Sequence, residues 1–255
     1  MGCKKLGLVL GAGSARGLAH IGVIQVLQEE AIPINLVVGS SMGAVIGACY
    51  AAGTDMYLLP QLVAEMNINQ LIDMQIPRKG FIAGNKIQEL IKLLTHGKNF
   101  DQLSIPLAVL ATDLEAGKRV VFQDGPVYQA VRASISIPGI FQPVELNNRL
   151  LVDGAVTERL PANIARELGA EVIIAVDVTF GNHEMKINSI LDIFLQSISL
   201  LERQIHDSRI QEIDILIQPE VGNLGMKRFD LVEEAVQAGR EATKPFLPLI
   251  KELLS

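Results

Sequence analysis

Cysteine is scarce. Cys3 and Cys49 are the only two in 255 residues, too few for the disulfide framework that holds small secreted scaffolds together. The four histidines, His20, His96, His183 and His206, are scattered along the chain, and no run of His and Cys has metal-ligand spacing. No metal and no cofactor is therefore expected. Positive charge is also in short supply: 22 Lys and Arg face 28 Asp and Glu, a net −6, which removes the global electrostatic case for nucleic acid as a partner. No secretory signal precedes the first apolar run, so a reducing cytoplasm is the expected compartment. Low-complexity sequence is missing as well. With 49% hydrophobic and 20% charged residues, the chain is neither disordered nor collagen-like and can bury a sizeable core. No internal repeat and no long polar linker divides it, so residues 1–255 are expected to form a single domain.

One stretch tests the soluble reading, because Ala31 to Thr54 carries no charged residue and is long enough to span a bilayer. Pro33, Asn35, Gly39, Ser40, Ser41, Gly43, Gly47 and Gly53 interrupt it. A buried strand, a sharp turn and a buried helix account for it better. The Met-Gly-Cys start invites a lipidation reading, but Leu6 stands where myristoylation wants Ser or Thr.

Leu6–Leu10 reads as an apolar strand ended by glycines, and Leu18–Leu27 as a helix with apolar residues at helical spacing. Ile34–Val38 is a second strand, and a strand–helix–strand unit of this length makes a parallel pair with a right-handed crossover. Further strands are expected at 105–111, 119–122, 150–152, 171–176 and 214–217. Helices are expected at 126–133, 161–168, 187–210 and 231–254. Continuous apolar strands alternating with helices imply a three-layer α/β fold, its central sheet mainly parallel and covered by helices.

Three segments carry chemistry. Gly11-Ala12-Gly13-Ser14-Ala15-Arg16-Gly17 joins a strand to a helix. Such a loop presents backbone N–H groups at a helix N-terminus, suited to a phosphate or a developing oxyanion. The dinucleotide fingerprint fails at Arg16, where it needs Gly, and the P-loop fails at Leu18. Gly39-Ser40-Ser41-Met42-Gly43 matches G-x-S-x-G between a strand and a helix, which makes Ser41 a candidate nucleophile; the plainer alternative is a helix cap at Ser40 or Ser41. Asp153-Gly154-Ala155 ends an apolar strand. An acid placed there is poorly solvated and becomes a better base than its ordinary pKa allows, although a plain Asp-Gly turn is the rival reading. Of the histidines, His96, His183 and His206 read as surface residues. Only His20, one turn beyond the glycine loop, is placed to compete with Asp153 as the base.

Taken together and in this order, the Gly-x-Gly-x-x-Arg-Gly loop, the G-x-S-x-G elbow and the late Asp-Gly-Ala resemble the patatin-like phospholipases, specifically the small bacterial members. The resemblance extends through the stretch from Arg132 to Val144, Arg-Ala-Ser-Ile-Ser-Ile-Pro-Gly-Ile-Phe-Gln-Pro-Val, and less distinctly into 214–219. It implies a Ser–Asp dyad without histidine that hydrolyses acyl esters of lipids, with Ser41 as nucleophile, Asp153 as base and elbow glycines Gly39 and Gly43. It places the oxyanion hole on the backbone of Gly11, Ala12, Gly13, Ser14, Ala15 and Arg16. Ala155 departs from the second glycine common in the family. Acyl transfer from the same acyl-serine is an alternative, as is an adaptor that keeps the hydrolase fold; the intact Ser41, Asp153 and glycine loop count against the adaptor.

A lipid substrate needs a route. Between residues 76 and 99, Arg78, Lys79, Lys86, Lys92 and Lys98 face only Glu89, with Phe81, Ile87, Leu90, Ile91, Leu93 and Leu94 among them. Such a segment can rest on an anionic interface, peripheral to the inner membrane face, or be an ordinary surface helix with its apolar side on the core. Oligomeric state is not written in the sequence.

Overall fold

The computed structural model describes residues 4–74, 80–179, 212–225 and 228–255, together with Ser197. The expected helix at 187–210, His183, His206, Arg78, Lys79 and Cys3 lie outside these residues, Ser197 apart.

Apolar runs form the strands. β1 (Leu6–Leu10), β2 (Leu36–Ser40) and β4 (Leu107–Asp113) are buried along their whole length, as is β9 (Val172–Val176). They pair in parallel in the order β9-β1-β2-β4, and β10 (Ile215–Ile217) extends the series beyond β9. On the other side of β4 the sheet turns antiparallel. β8 (Arg149–Asp153) runs against β4, β7 (Val144–Leu146) against β8, and β5 (Lys118–Phe122) also pairs with β4. Apart from this eight-stranded sheet, β3 (Gly80–Ile82) and β6 (Gly139–Phe141) make a small parallel ladder. The architecture is thus the expected three-layer α/β fold, with a mixed, mostly parallel sheet.

Side-chain alternation along β1 sorts the two cores. Leu6, Leu8 and Leu10 face the larger one, closed by α1 (Ala19–Glu29), α2 (Met42–Ala52), α5 (Val127–Ser134) and α7 (Val232–Thr243). Val9, with Val38, Leu110 and Ile173 of its neighbours, faces the smaller one, lined by Ala162, Ile164 and Ala165 of α6 (Ala162–Glu167). Ala31–Thr54 folds as strand, turn and helix within this frame, and among the described residues no helix is long and apolar enough to cross a membrane.

Three expectations need correction. β2 starts two residues later than the apolar run and continues to Ser40, because its last residues lead straight into the elbow. The helix expected at 231–254 is two, α7 and α8 (Leu247–Leu254), separated by a single 3₁₀ turn at Lys244–Phe246. Pro245 and Pro248 lack the amides that a continuous helix needs there. Strands β3, β6 and β7 were not expected, since each is only three residues long and too short to show a period. Two further helices, α3 (Leu59–Glu65) and α4 (Asn85–Leu94), complete the described α-helices.

Candidate active site

Sheet register brings the two motif residues together. Ser40 pairs with Leu110, and Ala111 pairs with Asp153, so Ser41 and Asp153 flank one level of β4 from opposite sides. They are two strand spacings apart, about 4.8 Å each, and two short side chains close the gap. The Ser41 hydroxyl donates to Asp153 Oδ2 at 2.7 Å.

Ser41 stands on a strained turn. Its φ of 53° and ψ of −122° lie where a residue with a Cβ is disfavoured, at a cost on the order of 1–3 kcal/mol. Its surroundings hold it there. The Ser41 amide donates to Ser134 Oγ at 2.9 Å, and its carbonyl accepts from Ala44 and Val45 to open α2. The flanking glycines are required by close approach: a Cβ on Gly43 would enter the Leu10 carbonyl, and one on Gly39 would stand 2.6 Å from the Ala44 Cα.

Asp153 is fixed at every polar atom. Its Oδ1 accepts from the Ala155 amide at 2.9 Å, its own amide donates to Ser136 O, and its carbonyl accepts from Thr112 Oγ1. Burial pushes its pKa up to about 7, against the pull of the hydrogen bonds from Ala155 and Ser41. A carboxyl of this kind exchanges a proton readily near neutrality.

In the glycine loop, the amides of Gly11 and Ala12 donate to Val176 O and Arg159 O, and that of Arg16 turns back to Gly13 O. The Arg16 side chain is buried and engaged within the fold: Nε donates to Leu224 O at 2.8 Å and Nη2 to Gly222 O at 3.2 Å. His20 is fully buried, with Nε2 2.8 Å from Gly11 O. Burial lowers its pKa to about 4. His96 is exposed. Cys49 is buried, and burial pushes its thiol up to about 12, so it is no nucleophile at neutral pH. Among the described residues no group of three or more His, Cys, Asp or Glu could hold a metal ion.

Ser134, Thr112 and Arg132 are site residues that motif reasoning did not single out. Arg132 is buried on acceptors that carry no charge, Gly84 O, Ala83 O, Gln142 O and Ser136 Oγ, with its guanidinium over the Phe141 ring. Desolvation lowers its pKa to about 10. It clamps residues 83–84 onto the turn after α5, the same turn that presents Ser134 and the Ser136 carbonyl. In the sequence, Arg132 and Ser134 fall in the stretch that carries the family resemblance, whereas Thr112 lies outside it.

A serine on a strand-to-helix elbow, paired with a buried carboxylate across an α/β sheet, defines the class. The profile of the family described as Patatin-like phospholipase matches residues 8–166, and the chain belongs to that family. An uncharacterized NTE family protein of Mycobacterium tuberculosis is 41% identical over 176 residues, which cover 68% of this chain and 49% of the relative. Human patatin-like phospholipase domain-containing protein 6 is 34% identical over 181 residues, 68% of this chain and 13% of that protein. The chain thus spans half or less of the length of these curated relatives. Among solved structures, VipD from Legionella pneumophila superposes with a TM-score of 0.70 at 14% identity, covering 98% of this chain and 67% of that one. The type III effector ExoU gives 0.55 at 14% identity, covering 98% and 54%. At that identity the likeness is one of fold.

Proposed function

We propose that this protein is a serine acyl-ester hydrolase acting on lipid esters, of the phospholipase, lysophospholipase or esterase type, and that residues 1–255 work as one domain. The observation that carries the reading is the 2.7 Å hydrogen bond from Ser41 Oγ to a buried Asp153 whose pKa lies near neutrality. The names of the relatives, a patatin-like phospholipase domain protein and neuropathy target esterase from Drosophila melanogaster, support the same class.

Ser41 Oγ attacks the ester carbonyl while its proton passes to Asp153. The carbonyl π pair moves onto oxygen. We assign the oxyanion donors to backbone N–H groups of the glycine loop, in its segment 13–15. As the intermediate collapses, the leaving alkoxide takes the proton from Asp153 and acyl-Ser41 remains. Water then gives a proton to Asp153, attacks the acyl carbon and releases the carboxylic acid as Ser41 recovers its proton. Transfer to an alcohol in place of water needs no change in these residues.

The surface we assign to lipid approach is the small β3–β6 ladder and α4. Met74, Phe81 and Leu93 are exposed there, at 71%, 54% and 71%, beside Lys86 and Lys92. Large apolar side chains next to bases fit an anionic interface met from the cytoplasm, with no nucleic acid partner. The two lysines also have local work: Lys86 donates to Gln70 O, and Lys92 lies over the Tyr128 ring. The functional test is a fluorescent fluorophosphonate followed by mapping of the labelled residue, with turnover of a soluble ester measured alongside. Labelling at Ser41, with loss of labelling and turnover in Ser41→Ala, is expected; equal labelling of that variant removes the hydrolase reading.

A further inference from the structure

We propose that His20 is the positioning residue of the glycine loop, gripping the peptide plane from which the segment 13–15 sets out. This rests on the hydrolase reading for its kinetic consequence, but its geometry stands apart from it. The Gly11 carbonyl and the Ala12 N–H belong to one planar unit and point in opposite directions. His20 Nε2 lies 2.8 Å from the carbonyl, and the Ala12 amide donates to Arg159 O at 3.0 Å. The plane is held from both sides. The preceding amide, that of Gly11, is anchored on Val176 O at 3.1 Å. Glycine and alanine have no side-chain polar atoms with which to hold such a loop, and glycine has the widest backbone freedom of any residue. The direction in which the chain enters 13–15 is therefore set by the grip on this plane.

The imidazole can do this in one state only. Its partner is a carbonyl, so Nε2 carries the hydrogen, and Nδ1 is then a bare acceptor. Nδ1 is buried and has no hydrogen-bond partner among the described residues. A second proton would place an N–H there with nothing to receive it. Burial accordingly holds the ring neutral down to about pH 4, although the Gly11 hydrogen bond and the charge of Asp177 both act the other way. Asp177 is itself tied to Arg159 Nη2 at 3.4 Å and to Thr179. The Ser41 hydroxyl donates to Asp153, and the Nδ1 lone pair that a base would use is buried with no partner among the described residues, so a base is the role this histidine does not fill.

Isosteres separate a donor from a packing group. Glutamine can place an amide N–H near the position of Nε2, whereas asparagine reaches only about as far as Nδ1. His20→Gln is expected to keep kcat for a soluble ester within about threefold, and His20→Asn and His20→Leu to lower it about 10- to 100-fold. KM should stay within about twofold, because donors aimed at an oxyanion act in the transition state. Equal losses in the Gln and Asn variants, or a loss confined to KM, would overturn the assignment. A second measurement needs no variant to fold and no turnover: ¹⁵N-resolved NMR of the wild-type histidine side chains. The Nε2–H tautomer, unchanged down to about pH 5, is expected for His20; an Nδ1–H tautomer or titration near the ordinary value overturns the grip. Absence of Ser41-dependent turnover in the wild type would instead sink the hydrolase reading and its kinetic consequence, with the imidazole spectrum still deciding the geometry.

Discussion

The two halves of the sheet contribute to the site by different means. On the parallel side β1, β2, β4 and β9 are buried from end to end, and the proposed nucleophile, Ser41, comes from a strained elbow wedged against the backbone of β1. On the antiparallel side β5 and β7 are partly exposed, their hairpins are short, and the proposed base, Asp153, is simply the last residue of β8. Position on the parallel side is therefore secured by backbone that has no room to give. On the antiparallel side it is secured by hydrogen bonds to the carboxyl and the backbone of one residue, Asp153. Substitutions on the first side should damage fold and chemistry together, and those on the second should separate them.

Asp153→Asn is the sharpest way to break that contrast. The change keeps shape and removes the basic oxygen, so turnover should fall on the order of 10³-fold or more, with circular dichroism unchanged. Stability should move the other way. A carboxyl whose folded pKa is raised from 3.8 to about 7 stabilises the fold while it holds its proton, and that contribution is lost as pH rises from about 4 through about 7. The charged form at pH 8 costs on the order of 4 kcal/mol, which asparagine avoids. Thermal melts should place Asp153→Asn above the wild type at pH 8, with the difference vanishing near pH 4. A variant less stable at pH 8 would mean that the carboxylate is structural.

Gly43→Ala addresses the parallel side. Its methyl meets the Leu10 carbonyl, and the shift needed to accommodate it should cost about 2–4 kcal/mol. Melting temperature and the rate of Ser41 labelling should drop together. An alanine variant with normal melting and slow labelling would show that the elbow has more room than its contacts indicate.

The acid limb of kcat/KM is next in size. Protonated Asp153 cannot take the Ser41 proton, so activity on a soluble ester should rise about tenfold per unit up to about pH 7 and level off above. A limb that persists in an otherwise active Asp153→Asn variant would point to another group. Smallest of all should be the effect of the exposed ladder. Phe81→Ser combined with Lys92→Ala is expected to lower hydrolysis of anionic vesicle substrates a few-fold and to leave a soluble ester alone, and added salt should mimic the lysine change because exposed charges are screened over about 8 Å. Equal loss on both substrates would make the segment structural.

The same contrast explains what could be read from the sequence. Buried parallel strands are unbroken apolar runs, so β1, β4 and β9 stand out, and the elbow and the loop are stretches whose residue types answer to backbone demands. β3, β6 and β7 are too short to show a period. The turn between β7 and β8 did leave a trace: Asn147 and Asn148 both adopt positive φ, as a two-residue hairpin with an Asn at each position requires. Pro245 likewise marked the break between α7 and α8. Ser41 and Asp153 were legible because each sits in a local motif. Ser134 and Thr112 were not, since they meet their partners across 93 and 41 residues, and no local pattern encodes such a contact. The guanidinium of Arg16 shows the same limit, because its acceptors lie more than 200 residues away.

That last link bears on where the chain can be divided. The family match ends at residue 166, yet β9 lies between β1 and β10, and the carbonyls that receive Arg16 belong to the loop at 222–224. Severed at the exposed turn of Leu168 and Gly169, the first fragment would carry both motif residues but leave β1 with a naked edge and Arg16 without these two carbonyls. The second fragment would hold the missing strand and acceptors with no sheet to join. Such pieces should be inert apart and regain Ser41 labelling when mixed, as complementary halves that template each other through the β1–β9 seam.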